Sequence, residues 1–133
     1  MSVWSLQPKH VPEFWWLAEP LLDLALKPIG ESANDFYAGA LTGHYQLWLL
    51  LHGSDALGAM LTRVVVEESG RVLEVYALGG RGMKGWRGET KEALEEMKLH
   101  SGAGSIRFRT KRKASRLLTR SGFRSDDNVW WQR

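Results

Sequence analysis

The sequence predicts an α/β fold in which a mixed, mostly antiparallel sheet of about six strands has helices on both faces. Three consecutive strand-like segments separated by short turns predict an antiparallel meander in the middle of the chain. The later strand–helix–strand order predicts a parallel central pair, because strands joined through a helix normally lie parallel. With 133 residues, 44% of them hydrophobic and 25% charged, the chain is expected to form one globular domain, residues 1–133.

The N-terminal segments predict a short strand followed by two helices. Residues 3–6 form the strand, and the Val11–Leu26 segment repeats its apolar residues at helical spacing. Pro20 inside this segment is expected to kink or split the helix. A second helix is expected after Ser32, whose side chain would cap it in a box with Asp35, and Gly43 would end it.

The central segments supply the meander. Residues 45–51 (YQLWLLL) are too apolar for a half-exposed strand and predict a central one. Residues 58–68 and 72–78 are predicted to form the second and third strands of the meander, each antiparallel to the strand before it. Turns at residues 53–55 and 69–70 separate the three strands.

A glycine-rich loop then leads into the C-terminal half. Its helix has one apolar face, and it is followed by a strand at 105–109, a basic helix at 111–121 capped by Thr110, and a last strand at 128–132. A glycine-rich loop between a strand and a helix is a favourable place for phosphate, because free amides and the helix dipole point at it.

Several classes of function are disfavoured by composition. The chain has no cysteine, so disulfides, thiol catalysis and thiolate metal sites are excluded. Its four histidines are scattered without metal-ligand spacing, so no metal site is predicted. No apolar segment reaches the ~20 residues of a membrane span, and the N-terminus lacks the pattern of a secretory signal. We therefore expect a cytoplasmic protein.

Charge is distributed unevenly along the chain. Residues 1–80 contain four Lys/Arg and nine Asp/Glu, whereas residues 81–133 contain fourteen and six. The basic half could contact nucleic acid phosphates or an anionic cofactor, or it could simply be a solvated surface. The candidate phosphate-contacting residues are Arg109, Lys111, Arg112, Lys113 and Arg116.

The element order, with a glycine loop after the third meander strand and an Ala114-x-x-x-Leu118-x-x-x-Gly122-Phe123 ending, resembles the GNAT superfamily of acyl-CoA N-acyltransferases. The Gln46-Leu-Trp-Leu strand, Thr62-Arg63-Val64 and the 79–86 loop are most similar to small GNAT-like proteins of tailed phages and prophages. That resemblance implies a GNAT-like fold over the whole chain, and a protein encoded among virion-structure genes.

The resemblance also implies where acetyl-CoA would bind. The candidate cofactor-binding residues are Leu78, Gly80, Arg81, Gly82, Lys84 and Gly85. However, the two small positions of the family's pyrophosphate loop fall on Lys84 and Trp86, and a bulky indole hinders close approach of a ligand. The alternative is that the glycines form only a turn between strand and helix.

The catalytic residues of the family are only partly matched. Leu118 occupies the position of the tyrosine that acts as general acid toward the CoA thiolate, so that acid is absent. Glu74 lies on the strand that often provides the base for the substrate ammonium, and Val72 and Leu73 offer it no ion partner. Glu74 is the candidate catalytic residue. Its alternative role is a pair with Arg63 across the hairpin, or exposure to solvent.

Three functions follow from these patterns. The first is a virion-associated or assembly protein with degenerate or absent acetyltransferase activity, which is favoured by the missing acid and the altered loop. The seven tryptophans favour protein contacts, either with virion components or with another copy of the chain. Such a protein would lie in the host cytoplasm or within the virion. The alternatives are an active acetyl-CoA-dependent N-acetyltransferase on an unknown amine and a module that contacts nucleic acid.

Overall fold

A computed structural model describes residues 2–81, 87–109, 124–126 and 129–132. These residues form seven strands: β1 (Ser2–Leu6), β2 (Gln46–His52), β3 (Asp55–Glu67), β4 (Gly70–Gly80), β5 (Ser105–Arg109), β6 (Arg124–Asp126) and β7 (Val129–Gln132). The α-helices are α1 (Val11–Leu26), α2 (Tyr37–Thr42) and α3 (Arg87–Ser101). Short 3₁₀ helices cover Pro8–His10, Lys27–Ile29 and Ala33–Phe36.

The seven strands lie in one mixed sheet of order β1-β2-β3-β4-β5-β7-β6. β4 and β5 pair in parallel, and the other neighbouring strands pair antiparallel, which confirms the predicted fold class. The prediction of one final strand at 128–132 was incomplete, because β6 pairs with β7 as an additional strand. The helix predicted at 111–121 and its cap Thr110 lie outside the described residues.

Helices on the two faces of the sheet bury separate apolar clusters. α1 and α2 cover one face, where Leu22, Leu26 and Leu47 are almost completely buried. α3 covers the other face through Leu94, which packs with residues including Leu50. Both sides of β2 are therefore buried, as the continuous apolar run of that strand predicted.

The N-terminal helices differ from the sequence predictions in two ways. The prediction that Ser32 caps the second helix through its side chain was wrong, because no such hydrogen bond forms. Instead, Asp23 Oδ1 on α1 accepts a hydrogen bond of 2.8 Å from the Ala33 amide. A carboxylate from another helix therefore satisfies a free backbone N–H group at the start of the Ala33–Phe36 helix. Pro20 does not split α1, which is a single helix with Pro20 at an exposed position.

Gly79 marks the place where α1 lies closest to β4. A Cβ atom built on Gly79 would lie 1.9 Å from the carbonyl oxygen of Leu21 and 3.4 Å from the amide nitrogen of Ala25. These are backbone atoms of α1, so no side-chain rotation can relieve the contact. Glycine therefore lets this helix pack directly against the strand that carries the candidate site residues.

Candidate functional site

Within the described residues, β5 pairs with only part of β4. β4 contains 11 residues, but its pairing with β5 runs only from Val72 opposite Ser105 to Val75 opposite Phe108. From Tyr76 to Gly80, β4 continues with β3 on one side and without a described β5 partner on the other. This stretch of strand edge, residues 76–80, is called the β4 opening below.

The predicted cofactor-binding residues Leu78 and Gly80 lie in the β4 opening, and Arg81 follows it. Arg81 donates its amide to the Leu57 carbonyl at 2.9 Å, so its backbone points toward β3. Because successive residues of a strand point their backbone groups to alternate sides, the Leu78 and Gly80 amides point away from β3, into the opening. Gly82, Lys84 and Gly85, with Trp86, lie outside the described residues.

A β-bulge lies at the start of the β4 opening. Leu61 pairs with Ala77 and Thr62 with Val75, which leaves Tyr76 as the extra residue of β4. Bulges bend a strand and redirect its side chains, and they are common beside functional sites. Tyr76 lies on the same face of β4 as Glu74 and packs against the α1–α2 cluster, directly after the last residue that pairs with β5, and the bulge brings Ala77 onto that face as well.

Glu74 lies in the middle of a row of charges across three strands. The pairing places it opposite Arg63 on β3 and opposite Arg107 on β5. Arg63 Nε donates to Glu74 Oε1 at 2.8 Å, and Arg107 Nε donates to Oε2 at 2.7 Å. Arg107 Nη1 also donates to Glu67 Oε1 at 2.6 Å. The Glu74 side chain is fully buried, so its two oxygens accept these hydrogen bonds in a place that water does not reach.

This arrangement agrees with the alternative role predicted for Glu74, the cross-hairpin pair with Arg63, and adds a second arginine. Burial acts to lower the pKa of Arg107, but the hydrogen bond to Glu67 and the charge of Glu74 outweigh it, so the pKa is raised. The Arg107 guanidinium therefore remains charged. Arg107 belongs to the basic half considered for nucleic acid, yet its side chain is paired with two carboxylates, Glu67 and Glu74.

Next to this row, three aromatic rings and a second carboxylate form a small cluster. Phe36 contacts the rings of Tyr45 and Tyr76, with centroid distances of 5.3 and 4.9 Å, and the two tyrosine rings are 5.7 Å apart. The Tyr76 hydroxyl donates to Glu31 Oε1 at 2.7 Å. Glu31 Oε2 is buried without a hydrogen-bond partner. We call Glu31, Phe36, Tyr45 and Tyr76 the Glu31 cluster.

Sequence reasoning missed Glu31 and the second partner of Glu74. Glu31 follows Gly30 in a turn between helices and has no periodic or motif signal. Arg107 alternates with Ile106 and Phe108, which indicated only an exposed basic face. Leu118, at the position of the family's acid, lies outside the described residues.

The described residues contain neither a metal-binding cluster nor a membrane-spanning helix. They contain no group of three His, Asp or Glu side chains that could hold a metal ion. Among the helices of these residues, none combines the length and apolar character that crossing a bilayer would require.

Comparison with known proteins identifies the fold. No family model matches the chain, and no curated protein matches it by sequence. Among solved structures, an agmatine N-acetyltransferase mutant superposes with a TM-score of 0.72 at 13% identity, over 92% of this chain and 82% of that one. A probable acetyltransferase gives 0.71 at 15% identity, over 96% and 92%. The Drosophila melanogaster polyamine N-acetyltransferase gives 0.68 at 12%, over 99% of both chains.

The sheet topology and these neighbours together define the architecture. The mixed sheet with one parallel pair and helices on both faces belongs to the α/β class. Within that class, the protein has the fold of the GNAT acetyltransferases.

Proposed function

We propose that this protein is an acyl-CoA-dependent N-acyltransferase that transfers an acetyl group to an amine. The observation that carries the proposal is the β4 opening, in which the Leu78 and Gly80 amides face away from β3 within a GNAT fold. The pantetheine arm of coenzyme A is an extended chain with amide groups, which can pair with a strand edge as an added strand does. Bound acetyl-CoA would supply the thioester that activates the acetyl group.

The residues of the opening fit such a ligand in two respects. The strand edge offers backbone donors at fixed spacing, and Arg81 places an exposed positive charge at its end, where a phosphate could bind. The neighbours named above, an agmatine and a polyamine N-acetyltransferase, act on amines by name. An amine acceptor for this chain is consistent with the shared fold.

Calorimetric titration with acetyl-CoA tests the proposal. We expect saturable 1:1 binding by the full chain. Arg81→Ala should weaken it by about 3- to 10-fold, because one exposed charge–phosphate contact contributes ~1 kcal/mol. Arg71→Ala is the matched control, since Arg71 is an exposed arginine at the opposite end of β4. Absence of binding by the wild-type protein would refute the proposed function.

A second candidate function is a virion-associated protein that acts through protein contacts, as the resemblance to phage-encoded proteins implies. Its support in the structure is the exposure of two tryptophans, Trp16 at 70% and Trp4 at 49%, which lie outside both apolar clusters. Exposed tryptophan is characteristic of protein interfaces.

The second function has its own test. If it holds, the protein co-purifies with virus particles, and Trp16→Ala lowers the amount retained. Recovery of particles without the protein would exclude it, whatever the acetyl-CoA titration shows.

A further inference from the structure

The carboxylates of Glu74, which is fully buried, and Glu31, which is half-buried, differ in how their oxygens are bonded. Both oxygens of Glu74 accept hydrogen bonds from arginines, whereas Glu31 has a donor only at Oε1, from the Tyr76 hydroxyl. Glu31 Oε2 is also removed from solvent but has no partner. A buried carboxylate oxygen without a donor is costly, and such atoms are usually met by a water, an ion or a ligand.

Among the described residues, Arg63, which contacts the tyrosine rings of the Glu31 cluster, and Lys27, four residues before Glu31, both have acidic partners. The Arg63 guanidinium lies 5.6 Å from the centre of the Tyr45 ring and 5.5 Å from that of Tyr76, and its Nε bonds to Glu74. Lys27 lies 3.9 Å from Asp23. The donor that Glu31 Oε2 lacks is therefore best provided by a molecule from outside the chain.

The surroundings of Glu31 favour an organic cation. Tyr76 bonds to Glu31 through its hydroxyl, and the Phe36 ring lies 4.9 Å from the Tyr76 ring, so aromatic surface lies close to the carboxylate. Aromatic faces attract ammonium groups and pack against alkyl chains. Tyr76 is also the bulge residue that follows the last β4–β5 pair. A cation bound to Glu31 would thus lie beside the start of the opening in which acetyl-CoA is proposed to bind.

We propose that Glu31 Oε2 anchors an alkylammonium group of the acceptor substrate, with Phe36 and Tyr76 as the apolar wall. This inference rests on the proposed function and specifies its substrate class. An ammonium paired with a carboxylate is held in its charged form, and a protonated nitrogen is not nucleophilic. The anchored nitrogen is therefore distinct from the reacting nitrogen, so the substrate carries at least two amino groups.

The test compares 1,4-diaminobutane with butylamine, which has the same carbon chain and one amino group fewer. We expect a lower KM for the diamine with the wild-type protein and acetyl-CoA. Glu31→Gln should raise the diamine KM by about 10- to 100-fold, since it removes a charge-assisted hydrogen bond, and should change kcat little. The preference for the diamine should disappear in this variant.

Glu68→Gln is the matched control, because it removes the same charge from an exposed residue in the β3–β4 turn. It should leave both KM values unchanged. Tyr76→Phe is a second variant, which keeps the Glu31 carboxylate but removes the hydroxyl that holds Oε1. Tyr76→Phe should raise the diamine KM less than Glu31→Gln does. If Glu31→Gln fails to fold, a raised diamine KM in Tyr76→Phe still tests the anchor.

Direct calorimetric titration of 1,4-diaminobutane into the protein without acetyl-CoA separates this inference from the proposed function. Weaker diamine binding by Glu31→Gln than by the wild-type protein would support the anchor even if acetyl-CoA does not bind. Equal binding by both proteins would overturn it, leaving a water as the partner of Oε2, while the acetyl-CoA titration would still stand on its own.

Discussion

Replacing Gly79 with alanine is expected to destabilise the protein by at least the upper end of the ~1–3 kcal/mol typical of overpacking. The new Cβ would lie 1.9 Å from the Leu21 carbonyl oxygen, so α1 must move away from β4. That movement would loosen the apolar cluster under α1. Urea unfolding followed by circular dichroism measures the change in the free energy of unfolding.

Gly88→Ala is the matched control for Gly79→Ala. Gly88 is exposed in the first turn of α3, and a Cβ there has no neighbouring atom within 4 Å. This variant should be neutral or more stable by about 0.5–1 kcal/mol, because alanine favours helix more than glycine does. Equal stability of the Gly79→Ala variant and the wild-type protein would show that α1 does not approach β4 as described.

Glu74→Gln is expected to lower the free energy of unfolding by about 3–5 kcal/mol, the usual cost of removing one partner from a buried ion pair. The substitution would leave Arg63 and Arg107 without their shared carboxylate, and the new amide group would face a guanidinium donor. Glu68→Gln again removes a carboxylate at an exposed position and should change stability little. Urea unfolding of both variants measures the difference.

The role of Glu74 as general base stays a prediction, and the same variant tests it. A base must be within reach of the substrate proton, whereas the Glu74 side chain is fully buried and each of its oxygens accepts a bond from an arginine. A structural role predicts that turnover falls only as far as the folded fraction falls. Loss of turnover in a Glu74→Gln protein with wild-type stability would instead support the base.

The fold was largely predictable because its signals are local. The continuous apolar run of β2, the repeat of apolar residues in α1 and the turns between meander strands all depend on nearby residues. Parallel pairing of β4 with β5 followed from the general rule for strands joined through a helix. The capping of the second helix was mispredicted because the actual partner, Asp23, lies 10 residues before Ala33.

The site was less predictable because its contacts are not local. Arg63 could be proposed as a partner of Glu74, since a hairpin places them opposite each other. Arg107 could not, because its position depends on the register of a parallel pair that no turn fixes. Tyr76 shares a face with Glu74 by strand alternation, but its hydrogen bond to Glu31 joins residues 45 positions apart and has no local sequence signal.

The row of Arg63, Glu74 and Arg107 has a consequence for assembly of the sheet. β5 joins the antiparallel meander without a hairpin to set its alignment, so several alignments could compete. A shift of one residue would move Arg107 to the apolar face on which Leu73 and Val75 pack, and would leave Glu74 with a single arginine. The buried charges thus penalise misaligned sheets more than they stabilise the correct one, and they specify where the parallel half of the molecule attaches.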